Sequence, residues 1–298
     1  MPVFALAGAR AARFLALACC ALCVCSPAVA QRGGIRDPIP EPEDLAADEA
    51  AERLDRLRRQ RLAGDFVFHV HLEHLPRRGD ATTYRGKMWG TWRGSVPWTR
   101  VTVALEPKAE GSDAAKASEV EVLLRAGPEP KAWRRADGAF RPIEGAALFE
   151  PLIPGVPYSA FDLQMPFLHW KDFDYLGPKE GGYPAQRYLL RAPGDAPARQ
   201  AGVRAARLFL DDRYNALRRV DLLGSENEVR SSFRVRSFKK VQDQYIVKTV
   251  DLVDEATQDR ARFEVRRAAV GLDLPDGVFD PNDPEQPPAL PESRLESL

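Results

Sequence analysis

An α+β fold, mainly β, is predicted: one strongly curved antiparallel sheet with a helical and irregular lid over its dry face. Three observations carry this. Apolar residues recur with a period of two along about ten segments, short turns rich in Gly, Asp and Asn join them, and one irregular aromatic stretch interrupts them. A sheet of that length must curl or close. Most strands are charged on one face, so the other face needs a cover. The chain offers only an N-terminal helix and the aromatic stretch. Two short covers over a large curved sheet tend to leave a cavity.

Residues 1–30 are read as a signal peptide, outside the fold. Arg10 and Arg13 form its basic start, and residues 14–24 an apolar run too short to span a bilayer. Ala28-Val29-Ala30 before Gln31 forms a small-x-small cleavage site. Cys19, Cys20, Cys23 and Cys25 all fall in this segment, so the exported chain is expected to lack disulfides and thiol chemistry. The rival reading is a lipid anchor on one of them, but Cys20, with Leu17 three places before it, follows Cys19 rather than a small residue. Cleavage leaves 41 basic against 43 acidic side chains, a net of −2, so a nucleic-acid partner is not expected.

Residues 31–44 are polar and proline-rich, a flexible linker. Residues 45–62 turn helical, with Ala47, Ala50, Leu54 and Leu57 on a narrow apolar stripe and Gly64 as the stop. Strands are then predicted at 66–72, 83–93, 101–105 and 120–124, with Gly86 and Gly90 marking a bend or a close approach, and a polar hairpin loop at 107–118. The stretch from 148 to 175 holds Tyr158, Phe161, Met165, Phe167, Trp170, Phe173 and Tyr175, spaced too unevenly for one helix face or one strand and broken by prolines. It reads as a lid, with Gly177, Gly181 and Gly182 as hinges. The sheet resumes at 186–191 and continues through 205–211, 217–223, 229–241, 245–252 and 260–268. The folded domain is taken as 45–281, and the acidic, proline-rich residues 282–298 as a disordered tail.

Catalytic motifs are scarce. His69, His71 and Glu73 share one strand face and could bind a first-row metal, but they lie opposite the dry face of Phe66, Phe68, Val70 and Leu72 and read more simply as its solvent side. There is no Gly-x-Ser-x-Gly elbow, no P-loop and no Gly-x-Gly-x-x-Gly. Asp172 and Asp174 read as solvated turn residues rather than an acid/base pair. The tryptophans Trp89, Trp92, Trp98, Trp133 and Trp170 read as core and surface aromatics before carbohydrate platforms. The basic residues of strands 229–241 and 260–268, interleaved with acids, read as a mixed soluble face. No catalytic residue, metal or cofactor is expected, and the chain is not read as an enzyme.

Several ordered motifs resemble the LolA-like outer-membrane lipoprotein-sorting proteins, in their broader periplasmic branch. They are Ser159-Ala160-Phe161-Asp162-Leu163, Pro166-Phe167-Leu168-His169-Trp170, Phe173-Asp174-Tyr175-Leu176-Gly177 and Tyr183-Pro184-Ala185-Gln186-Arg187-Tyr188. Downstream come Arg207-Leu208-Phe209-Leu210-Asp211, Arg213-Tyr214-Asn215-Ala216-Leu217, the hairpin 233–248 and Leu274-Pro275-Asp276-Gly277-Val278-Phe279. The resemblance covers 158–281 and extends to the N-terminal half only in the order of elements. It implies an unclosed half-barrel with helices over an apolar cavity, and a periplasmic carrier or binder of acyl chains, lipids or lipoproteins without catalysis. An inner-membrane transporter is the partner expected on this reading, and a monomer the expected state. The residues expected to line the cavity and its lid are Met88, Trp92, Val101, Val103, Phe161, Leu163, Phe167, Trp170, Leu208 and Leu210. The alternative is a sensor module that binds a membrane partner through the same concavity.

Overall fold

The computed structural model describes residues 42–106, 119–179 and 183–298. The segment read as a signal peptide with its cysteines, the expected linker up to residue 41, the expected loop at 107–118, Gly181 and Gly182 lie outside the described residues. Helix α1 (Ala47–Arg59) forms where the sequence turns rich in Ala, Leu, Glu and Arg. Asp48 and Glu49 in its first turn and Arg56, Arg58 and Arg59 in its last complement the helix dipole, while Ala50, Leu54 and Leu57 are buried. Strands β1 (Asp65–Leu75), β2 (Thr82–Arg93), β3 (Val96–Leu105), β4 (Val120–Arg125), β5 (Lys131–Ala136) and β6 (Ala139–Ile143) form one meander. A second contains β7 (Phe173–Pro178), β8 (Ala185–Arg191), β9 (Ala205–Asp211), β10 (Leu217–Leu223), β11 (Val229–Val241), β12 (Gln244–Asp254) and β13 (Arg260–Leu272), with the short helix α2 (Ala160–Gln164) preceding β7 and α3 (Pro197–Gln200) between β8 and β9.

The meanders join where β1 pairs antiparallel with β13, so the order across the sheet is β6-β5-β4-β3-β2-β1-β13-β12-β11-β10-β9-β8-β7. β6 and β7 are consecutive strands, yet they form the two outer edges of an unclosed sheet. Residues 144–172 must therefore cross from one edge to the other. This bridge contains α2 and 3₁₀ turns at Gly145–Phe149 and Pro166–His169.

Curvature has local causes. Register shifts at His69/Val70 and Val235/Ser237 mark bulges, which bend and twist a strand. A Cβ on Gly86 would stand 2.1 Å from the Thr102 carbonyl oxygen, and one on Gly90 2.0 Å from the Phe66 ring. Close approach is thus the reason for both glycines, as their place on the dry face of β2 suggests.

Three elements differ from the sequence reading. Asp137 and Gly138 both have positive φ, 51° and 79°, and turn β5 into β6 as a two-residue hairpin that the reading passed over. The sheet resumes at Phe173 rather than at Gln186: Phe173 faces Leu190 and Tyr175 faces Tyr188, so the end of the aromatic stretch is an edge strand. The largest difference is the tail. Leu274, Val278 and Phe279 pack on the outer face against Val67, Trp89, Leu123 and Phe140, with Leu290 joining them. Buried Arg100 donates from Nη1 to the carbonyls of Val278 (3.0 Å) and Glu285 (2.6 Å), and from Nε to Glu121 (2.6 Å). Residues 282–298, expected to be disordered from their composition, instead form a strap. Glu292 pairs with Arg267, Leu295 is buried, and β14 (Glu296–Ser297) pairs with Ala268 and Arg267 of β13. That edge of β13 is open to β14 because β12 pairs with β13 over residues 260–264 and not beyond Glu264. Apolar side chains at 290, 295 and 298 supply the anchorage that overrides an acidic, proline-rich composition.

Candidate functional site

The concave face carries two apolar clusters. One lies under α1 and the end of the bridge, and contains Phe167, Trp170, Tyr188, Leu208 and Leu210. The other lies under the first part of the bridge, where Leu152, Ile153, Val156 and Tyr158 meet the dry faces of β1–β4 and β13. Leu163, Phe233 and Phe263 touch both clusters and make the concave face one continuous apolar surface.

Polar contacts hold the bridge to the sheet at one end and to α1 at the other. Gln164 donates from Nε2 to the carbonyls of Arg125 (2.9 Å) and Lys131 (2.7 Å), which fastens α2 to the β4–β5 turn. Arg58 of α1 donates to the carbonyls of Leu168 and Trp170 at the other end. α2 itself is capped reciprocally: Asp162 N–H donates to Ser159 Oγ (3.2 Å), while Ser159 N–H (3.0 Å) and Oγ–H (2.6 Å) donate to Asp162 Oδ2. It ends at Met165, held at φ 47° in the left-handed region, followed by Pro166. A left-handed non-glycine residue costs on the order of 1 kcal/mol. The kink therefore persists because Met165 and its neighbours Phe161 and Phe167 are buried.

Between bridge and sheet lies an apolar cavity of about 40 Å³, lined by Val70, Met88, Val101, Val122, Ile153 and Leu163 among others. That is room for little more than one water-sized group. The concave face is covered more completely than the sequence reading expected. Beside the bridge, where β10, β11 and β12 end, an open groove of about 730 Å³ has Phe149, Phe161, Val203, Leu222 and Leu252 in its wall and Asp162, Arg230, Asp254 and Glu255 around them. Burial pushes the Asp162 carboxyl up to about 6; the Ser159 bonds pull it down only in part, and Asp254 adds to the rise. On the far end of the bridge, burial and then the neighbouring Arg58 charge push His169 down to about 4.

The ten residues singled out from sequence separate accordingly. Met88, Val101, Val103 and Leu163 line the cavity, and Phe161 faces the open groove. Phe167, Trp170, Leu208 and Leu210 are close-packed under α1 and the bridge, with Leu208 and Leu210 wholly buried. Trp92 stands apart: it is half-buried at the end of β2, with the Arg61 guanidinium 5.8 Å from its ring, and it lines neither cavity nor groove. Leu152, Ile153 and Val156, an apolar run between prolines 151, 154 and 157, also line the cavity, with Tyr158 of the aromatic stretch; none of the four is among the ten residues expected to line it. Of the proposed hinges, Gly177 has φ 75° at an irregularity between Tyr175 and Pro178. Among the described residues, no three His, Cys, Asp or Glu side chains gather as a metal site.

No protein-family model matches the chain, and no curated protein matches its sequence. Its fold is similar to that of solved structures. A domain from Vibrio parahaemolyticus named for outer-membrane lipoprotein sorting superposes with a TM-score of 0.63 at 14% identity, over 78% of this chain and 95% of that one. A DUF1329 family protein from Desulfovibrio piger gives 0.63 at 12% identity over 78% and 95%. A LolA superfamily protein from Nitrosomonas europaea gives 0.55 at 13% identity over 79% and 98%. At these identities the likeness establishes the fold: the chain has the LolA-like unclosed half-barrel that its motifs resemble.

Proposed function

We propose that the protein is a non-catalytic periplasmic carrier that takes acyl chains of a lipid or lipoprotein between its concave face and the bridge. The observation that carries this reading is the edge-to-edge passage of residues 144–172 over a continuous apolar face, with a groove of about 730 Å³ open at its side. The naming of a similarly folded Vibrio domain for outer-membrane lipoprotein sorting supports the same reading.

Affinity would come from burial. Each CH₂ moved out of water contributes roughly 0.8 kcal/mol, so one or two chains need no polar anchor. A cavity of about 40 Å³ cannot hold such a chain, so uptake requires the bridge to lift from the sheet. Its broken build suits this, because short helices joined at Met165-Pro166 can separate without unwinding a long element. The described residues contain no helix long and apolar enough to cross a membrane.

The test is native mass spectrometry of the protein purified from its own envelope, paired with titration by a fluorescent fatty acid. Co-purified lipid or lipoprotein and saturable binding displaced by unlabelled chains are expected. A protein partner held by a molecule that binds no acyl probe would overturn the carrier reading in favour of a sensor that uses the same concavity.

A further inference from the structure

On the outer face, turned away from the bridge, lies a second groove of about 710 Å³ between the strands and strap residues Gln286 and Pro287. Its basic lining consists of Arg85, Lys87, Arg100, Arg266 and Arg267, with His69 and His71 among them. Register explains the crowding. His69 stands directly opposite Lys87 on β2 and opposite Arg267 on β13, while His71 stands opposite Arg85 and Glu264. A protonated His69 would therefore stand directly between two cations, which is unfavourable without an anion beside them.

The acids of the region do not fill that role. Glu121 is held by buried Arg100, and Glu119 lies at the wall. Glu106 pairs with Arg85, Glu264 with Arg266 and Lys248, and Glu292 with Arg267. These last pairs lie at or near solvent, where an ion pair is weak and readily exchanged. Lys87 is exposed and has no ion pair among the described residues, and Arg267 Nε is buried without an acceptor. Both histidines are lowered by burial first. After burial, Lys87 and Arg267 act on His69, and Arg266 and Arg85 on His71; Glu292 opposes at His69, and Glu106 and Glu264 at His71, each more weakly.

We propose that this outer groove is a binding site for a phosphate group, carried by the headgroup of an anionic lipid or by a soluble phosphate ester. Arg and Lys donors around an oxyanion give the strongest class of protein hydrogen bond, and Arg85, Lys87 and Arg267 line the same groove. The site is independent of acyl-chain uptake, since it lies on the opposite face of the sheet.

The histidines report on it directly. Imidazole NMR signals of His69 and His71 are titrated with pH in chloride buffer, then with inorganic phosphate. In parallel, sedimentation is measured with vesicles of phosphatidylglycerol or of phosphatidylcholine alone. The expected result is a rise of both imidazole pKa values on adding phosphate, or sedimentation with phosphatidylglycerol only; the first identifies a soluble ligand and the second a lipid headgroup. Lys87→Gln with Arg85→Gln, both exposed, should weaken the response about tenfold while leaving the unfolding midpoint in place. No histidine shift and no vesicle binding would overturn the proposal. So would an undiminished response in the double variant.

Discussion

Arg58 Nε donates to the carbonyl of Leu168 at 2.6 Å, joining the last turn of α1 to the 3₁₀ turn of the bridge. Its Nη2 donates to Trp170 O at 2.9 Å, and Nη1 pairs with Asp55 at 2.9 Å. One guanidinium thus satisfies two carbonyls at the end of a short turn, where nothing else continues the helix. Lifting the bridge must break these bonds or carry α1 along.

Replacing Arg58 by Ala should cost about 2–3 kcal/mol, because hydrogen bonds to a charged group contribute about 1.5–3 kcal/mol each and this one is partly exposed. Amide exchange around 168–170 should accelerate more than exchange in the β1–β13 pair, and an acyl probe should enter faster. Lys at this position should recover less than half the loss, since an ammonium lacks the planar fork. Unchanged exchange at 168–170 in Arg58→Ala would show that the clamp does not hold the bridge.

Gly86 and Gly90 offer a paired test of curvature. A Cβ at 86 meets a backbone oxygen at 2.1 Å, whereas one at 90 meets the Phe66 ring at 2.0 Å. A ring can turn, but a paired strand can move only by giving up ladder bonds. Gly86→Ala should therefore be the more damaging, by at least about 3 kcal/mol, against about 1–3 kcal/mol for Gly90→Ala, the usual range for overpacking. Urea unfolding of the two variants gives the order; equal or inverted losses would remove Gly86 as a cause of the bend.

Period-two alternation made the sheet legible, because a half-dry strand writes its two faces directly into the sequence. The glycines on the dry face of β2 likewise announced a close approach. What stayed hidden depended on topology. No local pattern says that β6 and β7 are opposite edges, and without that the aromatic stretch reads as a lid rather than an edge-to-edge bridge. The outer cover did leave a signal. Val67, Trp89 and Leu123 are large apolar residues on the polar register, and Leu274, Val278, Phe279 and Leu290 are the apolar residues that meet them. Composition of the tail outweighed that match in the reading. Trp92 lies outside the linings of cavity and groove, because alternation gives the face of a strand but not how far along it the concavity extends.

Removing residues 292–298 should test the strap. Burial of Leu295 alone contributes about 1.5–3 kcal/mol, and the pairing of β14 with β13 adds to it. A loss of about 2–4 kcal/mol is expected in urea unfolding, with the far-UV circular dichroism of the sheet retained. The freed edge at Arg266–Ala268 should also raise self-association, since an exposed strand edge is a pairing template. A truncated protein as stable and as monodisperse as the full chain would mean that β14 contributes nothing to the fold.

The pH dependence of stability should conceal two opposed groups at the two ends of the bridge. Asp162 releases its proton near 3.8 in the unfolded chain but near 6 when folded, so the folded state holds the extra proton between those values. Raising the pH through that window weakens the fold. His169 takes a proton near 6.5 when unfolded but only near 4 when folded, so lowering the pH from 6.5 toward 4 weakens the fold instead. Each group contributes on the order of 2–3 kcal/mol across its window, with the lower end for Asp162, which partly faces the groove. In the intact protein the two slopes should largely cancel. Asp162→Asn, which keeps an oxygen for the Ser159 cap, should leave a protein whose stability rises with pH across the window. His169→Gln should leave one whose stability falls. Urea midpoints measured at intervals from pH 4 to 6.5 give the slopes directly. If either variant stays as flat as the parent, its partner at the other end of the bridge is not titrating as the burial of these groups requires.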